Sequence, residues 1–184
     1  MFHRPVSVSH RLFFALRPPL VQARQIANAA SWFETEGAPV AAERLHITMF
    51  ILDDRRDLPA SLVAALTSLG DAIAAAPIPI VLDRVGGGDR SIALRPSRRI
   101  AALDALHRQL GERSRAAGIE PRAGYAFNPH MTLGYRDGQP FGMAVAPIVW
   151  AARELVLIHS HLGRTRHEVL GRWPLVDPQF DLFG

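Results

Sequence analysis

The sequence of 184 residues contains no cysteine, which excludes disulfides, thiolate nucleophiles and thiolate metal sites. Lysine is absent as well, so all 21 basic side chains are arginines and Schiff-base catalysis by lysine is excluded. Arginine is a planar cation that suits phosphate groups and the faces of nucleic-acid bases. The formal net charge of +4 therefore favours an anionic partner.

Long hydrophobic runs are also missing. The apolar run at residues 12–16 lies between Arg11 and Arg17, and it is too short for a secretory signal. No stretch approaches the roughly 18 uncharged apolar residues that a membrane helix needs. We therefore expect a soluble, cytoplasmic protein with no membrane partner, in which residues 1–9 form a loose leader.

The composition, with 48% hydrophobic and 21% charged residues, is that of a globular protein, and we expect residues 1–184 to form a single domain. The apolar periodicity predicts the following elements: strand 12–16, helix 20–36, strand 46–52, helix 59–75, strands 78–85 and 91–94, helix 99–117, a strand within residues 128–135, a loop at 137–147, and strands 154–161 and 167–170.

A short motif, His-x-Thr followed by an apolar residue, occurs twice on predicted strands. The first copy contains His46 and Thr48, and the second contains His130 and Thr132. Side chains two residues apart on a strand share one face and are separated by roughly 6.5 Å along the backbone, which leaves room for a phosphate group against both. The repetition predicts two similar halves that present two imidazoles and two hydroxyls to one cavity.

The chain resembles the 2H phosphoesterase superfamily and, within it, the RNA 2′,3′-cyclic phosphodiesterases, also called 2′-5′ RNA ligases. The resemblance covers most of the chain and rests on both motifs with their flanks, on the opening strand and on the closing strands: Arg44-Leu45-His46-Ile47-Thr48, Phe127-Asn128-Pro129-His130-Met131-Thr132-Leu133, Arg11-Leu12-Phe13-Phe14-Ala15-Leu16, and Trp173-Pro174-Leu175. It implies an α+β, bilobal fold in which two pseudo-symmetric lobes, each with an antiparallel sheet and flanking helices, enclose the active cleft.

The resemblance also implies the roles of the motif residues. His46 would donate a proton to the leaving oxygen, His130 would activate water, and Thr48 and Thr132 would bind the nonbridging phosphate oxygens, without a metal or organic cofactor. These residue types suit the reaction, because imidazoles titrate near neutrality and can act as acid and as base. Threonine hydroxyls donate hydrogen bonds to phosphate without adding negative charge.

The chain departs from the family pattern after each motif. Five residues beyond the first histidine, where the family usually has an aromatic residue, this chain has Ile51, and its aromatic is Phe50. Five residues beyond the second histidine, where an arginine often stands, it has Tyr135 followed by Arg136. On regular strands Phe50 and Arg136 would face the cleft and Tyr135 would face away, so that Phe50 could stack on a base and Arg136 could contact phosphate.

Other histidines and glycines have more ordinary interpretations. His159 and His161 could share a strand face as metal ligands, but two ligands are too few for a catalytic zinc site, and hydrogen-bonded or surface histidines are favoured. His107 and His167 are predicted to face solvent. The glycines at residues 86–88 could cradle a phosphate but lack the rest of a P-loop, so a hairpin turn is favoured.

Two arginine clusters remain open in their interpretation. Arg98 and Arg99 open a predicted helix, and Arg164 and Arg166 flank a tight turn. Either pair could contact RNA phosphates or form part of a solvated charged surface.

The expected function is metal-independent hydrolysis of RNA 2′,3′-cyclic phosphate ends to 2′-phosphates by a monomer, with 2′-5′ ligation as a possible minor activity. One alternative is a phosphodiesterase that acts on small cyclic nucleotides or ADP-ribose cyclic phosphate. Another is a module that binds RNA or nucleotides without turnover, although both intact histidines and threonines argue against it.

Overall fold

The computed structural model describes residues 9–33, 35–88 and 90–177. In this part of the chain three α-helices and eight strands follow one another as β1 Ser9–Leu16, α1 Leu20–Ala30, β2 Ile47–Ile51, α2 Ala60–Asp71, β3 Ile78–Gly87, β4 Ser91–Arg95, α3 Ala101–Ala116, β5 Met131–Tyr135, β6 Phe141–Ala152, β7 Glu154–Leu162 and β8 Arg166–Pro174. None of these helices is long and apolar enough to cross a bilayer.

The eight strands form one sheet in the order β6-β3-β4-β5-β2-β1-β7-β8, and all neighbours are antiparallel. The order has a pseudo-two-fold symmetry. One half consists of β5, β4, β3 and β6, and the other half consists of β2, β1, β7 and β8, each counted outwards from the centre of the sheet. The halves meet through a single pair, Ile47 with Met131, which places the two motifs side by side. The predicted α+β fold with two similar halves is confirmed.

The sheet has two unlike faces, which we call the helical face and the cleft face. Along β1, Leu12, Phe14 and Leu16 are buried in the main core, together with apolar residues of all three helices. Phe13 and Ala15 point the other way and form a smaller cluster with residues of β2 and β7. Because alternate residues of a strand lie on opposite faces, side chains on the cleft face can form a site without disturbing the main core.

Strand β6 begins at Phe141 and corrects the second part of the loop predicted at residues 137–147, whereas residues 137–140 lie between β5 and β6 as predicted. The proline and glycine content of that segment favours a loop, but the segment lies at the edge of the sheet, where proline costs no ladder hydrogen bond. Pro147 also falls where the β3–β6 register is irregular, between the pairs of Leu82 and Arg84. Gly86 and Gly87 belong to strand β3, so the predicted hairpin turn is shorter than expected.

Two further boundaries differ from the prediction. Helix α1 ends at Ala30 because the next segment bonds to β5 instead, with Glu36 N–H donating to Tyr135 O and Val40 N–H donating to Leu133 O. At the N-terminus, β1 begins at Ser9, and the rest of the predicted leader lies outside the described residues. Gly118, the residue after the predicted helix 99–117, has φ +69, a conformation that favours glycine after the C-terminus of a helix.

Candidate active site

The two motif histidines are held in the same way. His46 Nδ1 lies 2.6 Å from the carbonyl oxygen of Arg44, and His130 Nδ1 lies 2.7 Å from that of Asn128. A carbonyl only accepts hydrogen bonds, so Nδ1 carries the proton in each ring. In the neutral ring the lone pair is therefore on Nε2, the nitrogen that is left for proton transfer.

A cavity of about 220 Å³ opens on the cleft face beside His46. Thr48 and Thr132, the hydroxyl residues of both motifs, line it together with His46. His130 does not line this cavity itself, but its ring is close enough that its charge lowers the pKa of His46. The structure thus brings three of the four motif residues into one cavity, and the fourth, His130, lies within electrostatic range of His46.

Both motif imidazoles favour the neutral form. Burial lowers the pKa of His46 from 6.5 to about 4, against a smaller opposing effect of the hydrogen bond to Arg44. Burial also lowers the pKa of His130, and the nearby Arg95 charge adds to the effect. Near pH 7 both rings are consequently uncharged, and an arriving anion can shift one of them towards imidazolium.

A bulge directly follows the first motif. The register of β2 against β1 skips Met49, and a bulge shifts the alternation of side chains by one residue. Phe50 therefore points into the main core, where it is 1% exposed, and Ile51 lines the cavity. The prediction that Phe50 shares a face with His46 and stacks on a base is wrong, because it assumed a regular strand.

A second bulge occupies the equivalent position after the other motif. The register of β5 against β4 skips Leu133, so Tyr135 lines the cavity. The guanidinium of Arg136 lies instead 5.4 Å from the ring centroid of Phe141. The predicted directions of Tyr135 and Arg136 are thus reversed. In both halves the residue five positions after the histidine faces the cavity.

His167 is a third imidazole of the site, and its predicted exposure to solvent is wrong. Its ring centroid lies 5.5 Å from that of His46 and 5.6 Å from that of Phe13. Burial, followed by the nearby His46, lowers its pKa to about 3. The tight turn between β7 and β8 pairs His167 with Ser160. The length of that turn could suggest this pairing from the sequence, but nothing in the sequence indicates that the β7–β8 hairpin lies near β2.

A groove rich in arginine adjoins the cavity. The sequence offered Arg166 as a possible phosphate contact but did not predict the groove. The groove has a volume of about 350 Å³ and shares Arg44 and His167 with the cavity. Arg17 and Arg166 also line it, with Glu43; we call it the basic groove. The Nε of Arg44 is buried and has no hydrogen-bond partner among the described residues, so this side chain suits an anionic ligand.

The remaining candidates lie outside the cavity. Arg99 forms an exposed ion pair with Asp104, as expected of a solvated charged surface. His107 is half-buried rather than exposed: its Nδ1 lies 2.7 Å from Met49 O, and its ring stacks on Phe127 at 4.2 Å. His107 therefore connects α3 to the backbone of β2. His159 is 4% exposed and belongs to the helical face, away from the cavity.

Three comparisons with known proteins bear on this site. The model of the family described as the 2′-5′ RNA ligase superfamily matches residues 18–164. The protein of Escherichia coli K12 named RNA 2′,3′-cyclic phosphodiesterase is 32% identical over 182 residues, which cover 92% of this chain and 99% of that protein.

Among solved structures, E. coli LigT complexed with 3′-AMP superposes with a TM-score of 0.76 at 28% identity, over 92% of this chain and 99% of the other. E. coli LigT complexed with NADP+ superposes with a TM-score of 0.74 at 28% identity, over 91% and 98% of the two chains. TT0787 of Thermus thermophilus, at 21% identity and a TM-score of 0.67 over 90% and 97%, has the same fold.

Proposed function

The chain belongs to the 2′-5′ RNA ligase superfamily, a group of 2H phosphoesterases, and on that premise we propose that it hydrolyses 2′,3′-cyclic phosphate ends of RNA to 2′-phosphates. His46 and His130 are the catalytic acid and base of this proposal, and Thr48 and Thr132 bind the phosphate. The proposed enzyme acts as a single bilobal domain and as a monomer.

The proposed reaction moves two protons. His130 Nε2 removes a proton from water as its oxygen bonds to phosphorus, and His46 donates a proton to the 3′ oxygen as its bond to phosphorus breaks. The threonine hydroxyls stabilise the charge that shifts onto the nonbridging oxygens. The apo rings are neutral at pH 7, so the anionic phosphate supplies the charge that favours imidazolium at His46.

The observation that supports this assignment most strongly is the shared geometry of the two histidines. Each donates from Nδ1 to the carbonyl two residues earlier, and the two motifs lie side by side through one residue pair. Each ring therefore presents Nε2 for proton transfer, and neither ring needs a metal to define its orientation. Two equivalent nitrogens on one phosphate are what an acid–base pair requires.

The test is incubation of the purified chain with an oligonucleotide that ends in a 2′,3′-cyclic phosphate, in the presence of EDTA. We expect a 2′-phosphomonoester as the product, because the acid releases the 3′ oxygen. A 3′-phosphate product would contradict the assignment of the leaving oxygen. No product, or a product only when metal is supplied, would contradict the proposed metal-independent mechanism.

RNA rather than a mononucleotide is favoured by the basic groove. A cyclic phosphate occupies one anionic position, whereas Arg17, Arg44 and Arg166 provide further positive charge in a groove continuous with the cavity. RNA carries additional phosphates that such charges bind. The groove thus suits the next phosphates of a chain whose end lies in the cavity.

A small cyclic nucleotide is the second candidate, favoured by the limited volume of the cavity, about 220 Å³. LigT complexed with 3′-AMP, a mononucleotide, and with NADP+, a dinucleotide, supports small nucleotides as ligands of this fold. Comparison of kcat/KM for a cyclic mononucleotide and for the oligonucleotide separates the candidates. Joining a 2′,3′-cyclic end to a 5′-hydroxyl in a 2′-5′ bond is the same displacement of the 3′ oxygen with the hydroxyl in place of water as nucleophile, and it is proposed as a minor activity.

A further inference from the structure

Three histidines converge on the helical face of the sheet, on the opposite side from the cavity. His10 lies on β1, and His159 and His161 lie on β7, where His10 pairs with His161. His159 and His161 are two residues apart and share a face. The preceding residues with the same alternation, Leu155 and Leu157, are buried in the main core, which places the three imidazoles at the end of the helical face.

Each of the three rings offers one nitrogen within 4.8 Å of the other two. His10 Nδ1 lies 2.8 Å from His159 Nε2, and the centroids of the His159 and His161 rings are 4.0 Å apart. Glu168 of β8 completes the group, with its Oε2 at 3.3 Å from His161 Nε2 and 3.8 Å from His159 Nδ1. We call these four residues the histidine cluster.

We propose that the histidine cluster binds one divalent transition-metal ion, of which Zn²⁺ is the representative. Imidazole nitrogens suit Zn²⁺, Ni²⁺ and Cu²⁺, and three imidazoles with a carboxylate make a complete tetrahedral set in a chain that has no cysteine. Glu168 serves either as the fourth ligand or as the carboxylate that orients a ligating ring.

The spacing of the nitrogens suits this ion after a small adjustment. Tetrahedral Zn–N bonds of about 2.0–2.1 Å separate two ligand nitrogens by roughly 3.3 Å. The His10 and His159 nitrogens, now 2.8 Å apart, must share one proton between them. A metal ion replaces that proton and moves the nitrogens apart by about half an ångström, a change that ordinary side-chain rotation provides.

The site is separate from the proposed chemistry. Arg11, Phe13 and Ser160 alternate with the histidines along the same strands and line the cavity on the cleft face, so the sheet lies between the metal and the phosphate. The ion would link β1, β7 and β8 beyond the last buried side chains of the main core on these strands. Its expected effect is on stability, and removing it with EDTA should leave hydrolysis intact.

The experiment measures Zn²⁺ binding to the full chain, prepared without a histidine tag and stripped with EDTA, by isothermal titration calorimetry and by metal-dependent change in Tm. We expect saturable binding of one Zn²⁺ per chain and a rise in Tm. His161→Gln should abolish the saturable binding, and Glu168→Gln should weaken it by about 10–100-fold. Both positions are partly exposed, so these variants should fold, as circular dichroism and the apo Tm will check.

The matched control is the double variant His46→Gln/His167→Gln, which removes two imidazoles from the cleft face. It should bind Zn²⁺ as the unaltered chain does. Loss of binding in this control, retention of full affinity in His161→Gln, or absence of saturable binding in the unaltered chain would each overturn the proposal. Co²⁺ substitution adds an independent readout, since intense visible d–d bands that His161→Gln removes would indicate a four-coordinate site with imidazole ligands.

Discussion

The ring of His167 lies 5.5 Å from the ring of His46, although two strands separate β8 from β2 in the sheet. In a flat sheet, three spacings of about 4.8 Å would place those backbones roughly 14 Å apart. The side chains meet because they converge over the cleft face, with Phe13 in contact with both rings. Three side chains that line the cavity therefore come from segments that are distant in sequence.

His167 is expected to assist catalysis as a neutral hydrogen-bonding group. Its Nδ1 is buried without a partner among the described residues, and its pKa of about 3 keeps the ring uncharged. His167→Leu should lower kcat/KM by about 5–10-fold, the value of one hydrogen bond of about 1 kcal/mol, and His167→Gln should restore part of it. His161→Gln, which removes an imidazole from the other face, is the control and should keep normal kcat/KM.

The two motif histidines should each be required for turnover. His46→Ala and His130→Ala should each lower kcat by about 10²–10⁴-fold, the usual contribution of a positioned acid or base. KM should change much less, because Thr48 and Thr132 remain to bind phosphate. Steady-state kinetics on the cyclic-ended oligonucleotide measures both. Near-normal kcat in either variant would remove that histidine from the proposed mechanism.

The pH at which kcat/KM is highest should lie below the pKa of a free imidazole, about 6.5. Burial lowers the pKa of both His46 and His130, so the form with one protonated and one neutral ring is most populated below pH 6.5. We therefore expect kcat/KM, which reports the free enzyme, to peak below that pH. Bound phosphate favours imidazolium, so the basic limb of kcat should lie at higher pH than that of kcat/KM. Coincident basic limbs would contradict this account.

The sequence predicted that His46 and Thr48 would reach one cavity, because strand alternation places side chains two residues apart on one face. It failed at the next residues because each motif is followed by a bulge, at Met49 and at Leu133. A bulge is defined by the partner strand, and no local pattern reveals it. Strand alternation alone therefore predicts that Phe50 faces the cavity, but the bulge turns its side chain into the main core.

His167 and the basic groove were missed for a different reason. Their residues belong to segments that are far apart in the chain and meet only through the order of the strands. The repeated motif did predict the two-fold relation of the halves, since each copy needs an equivalent strand. It could not predict that β7 and β8, at the end of the chain, join the N-terminal half, because a strand pattern does not specify its neighbours.

The salt dependence of RNA binding should report the basic groove. The slope of log K against log salt is negative, and removing one arginine–phosphate interaction with a single strand reduces its magnitude by about 0.7. Arg17→Gln/Arg166→Gln should therefore make the slope less steep by about 1.4. Affinity for an oligonucleotide with a 2′-phosphate end, measured by fluorescence anisotropy at several salt concentrations, gives the slope. Arg99→Gln, in an exposed ion pair with Asp104, is the matched control. An unchanged slope in the double variant would favour the small cyclic nucleotide as substrate.

Two helical glycines should respond in opposite ways to the same substitution. Gly70 lies in α2 against the indole of Trp173, and a Cβ added there would overlap the ring, whose Nε1 is fixed by a 2.7 Å hydrogen bond to Asp71. Gly70→Ala should therefore destabilise the fold by about 1–3 kcal/mol, the cost of an overpacked site. Gly111 lies in α3 with open space around the same position, so Gly111→Ala should gain up to about 1 kcal/mol of helix propensity. Urea unfolding of both variants measures the difference, and equal effects would show that Trp173 does not fix the spacing between α2 and β8.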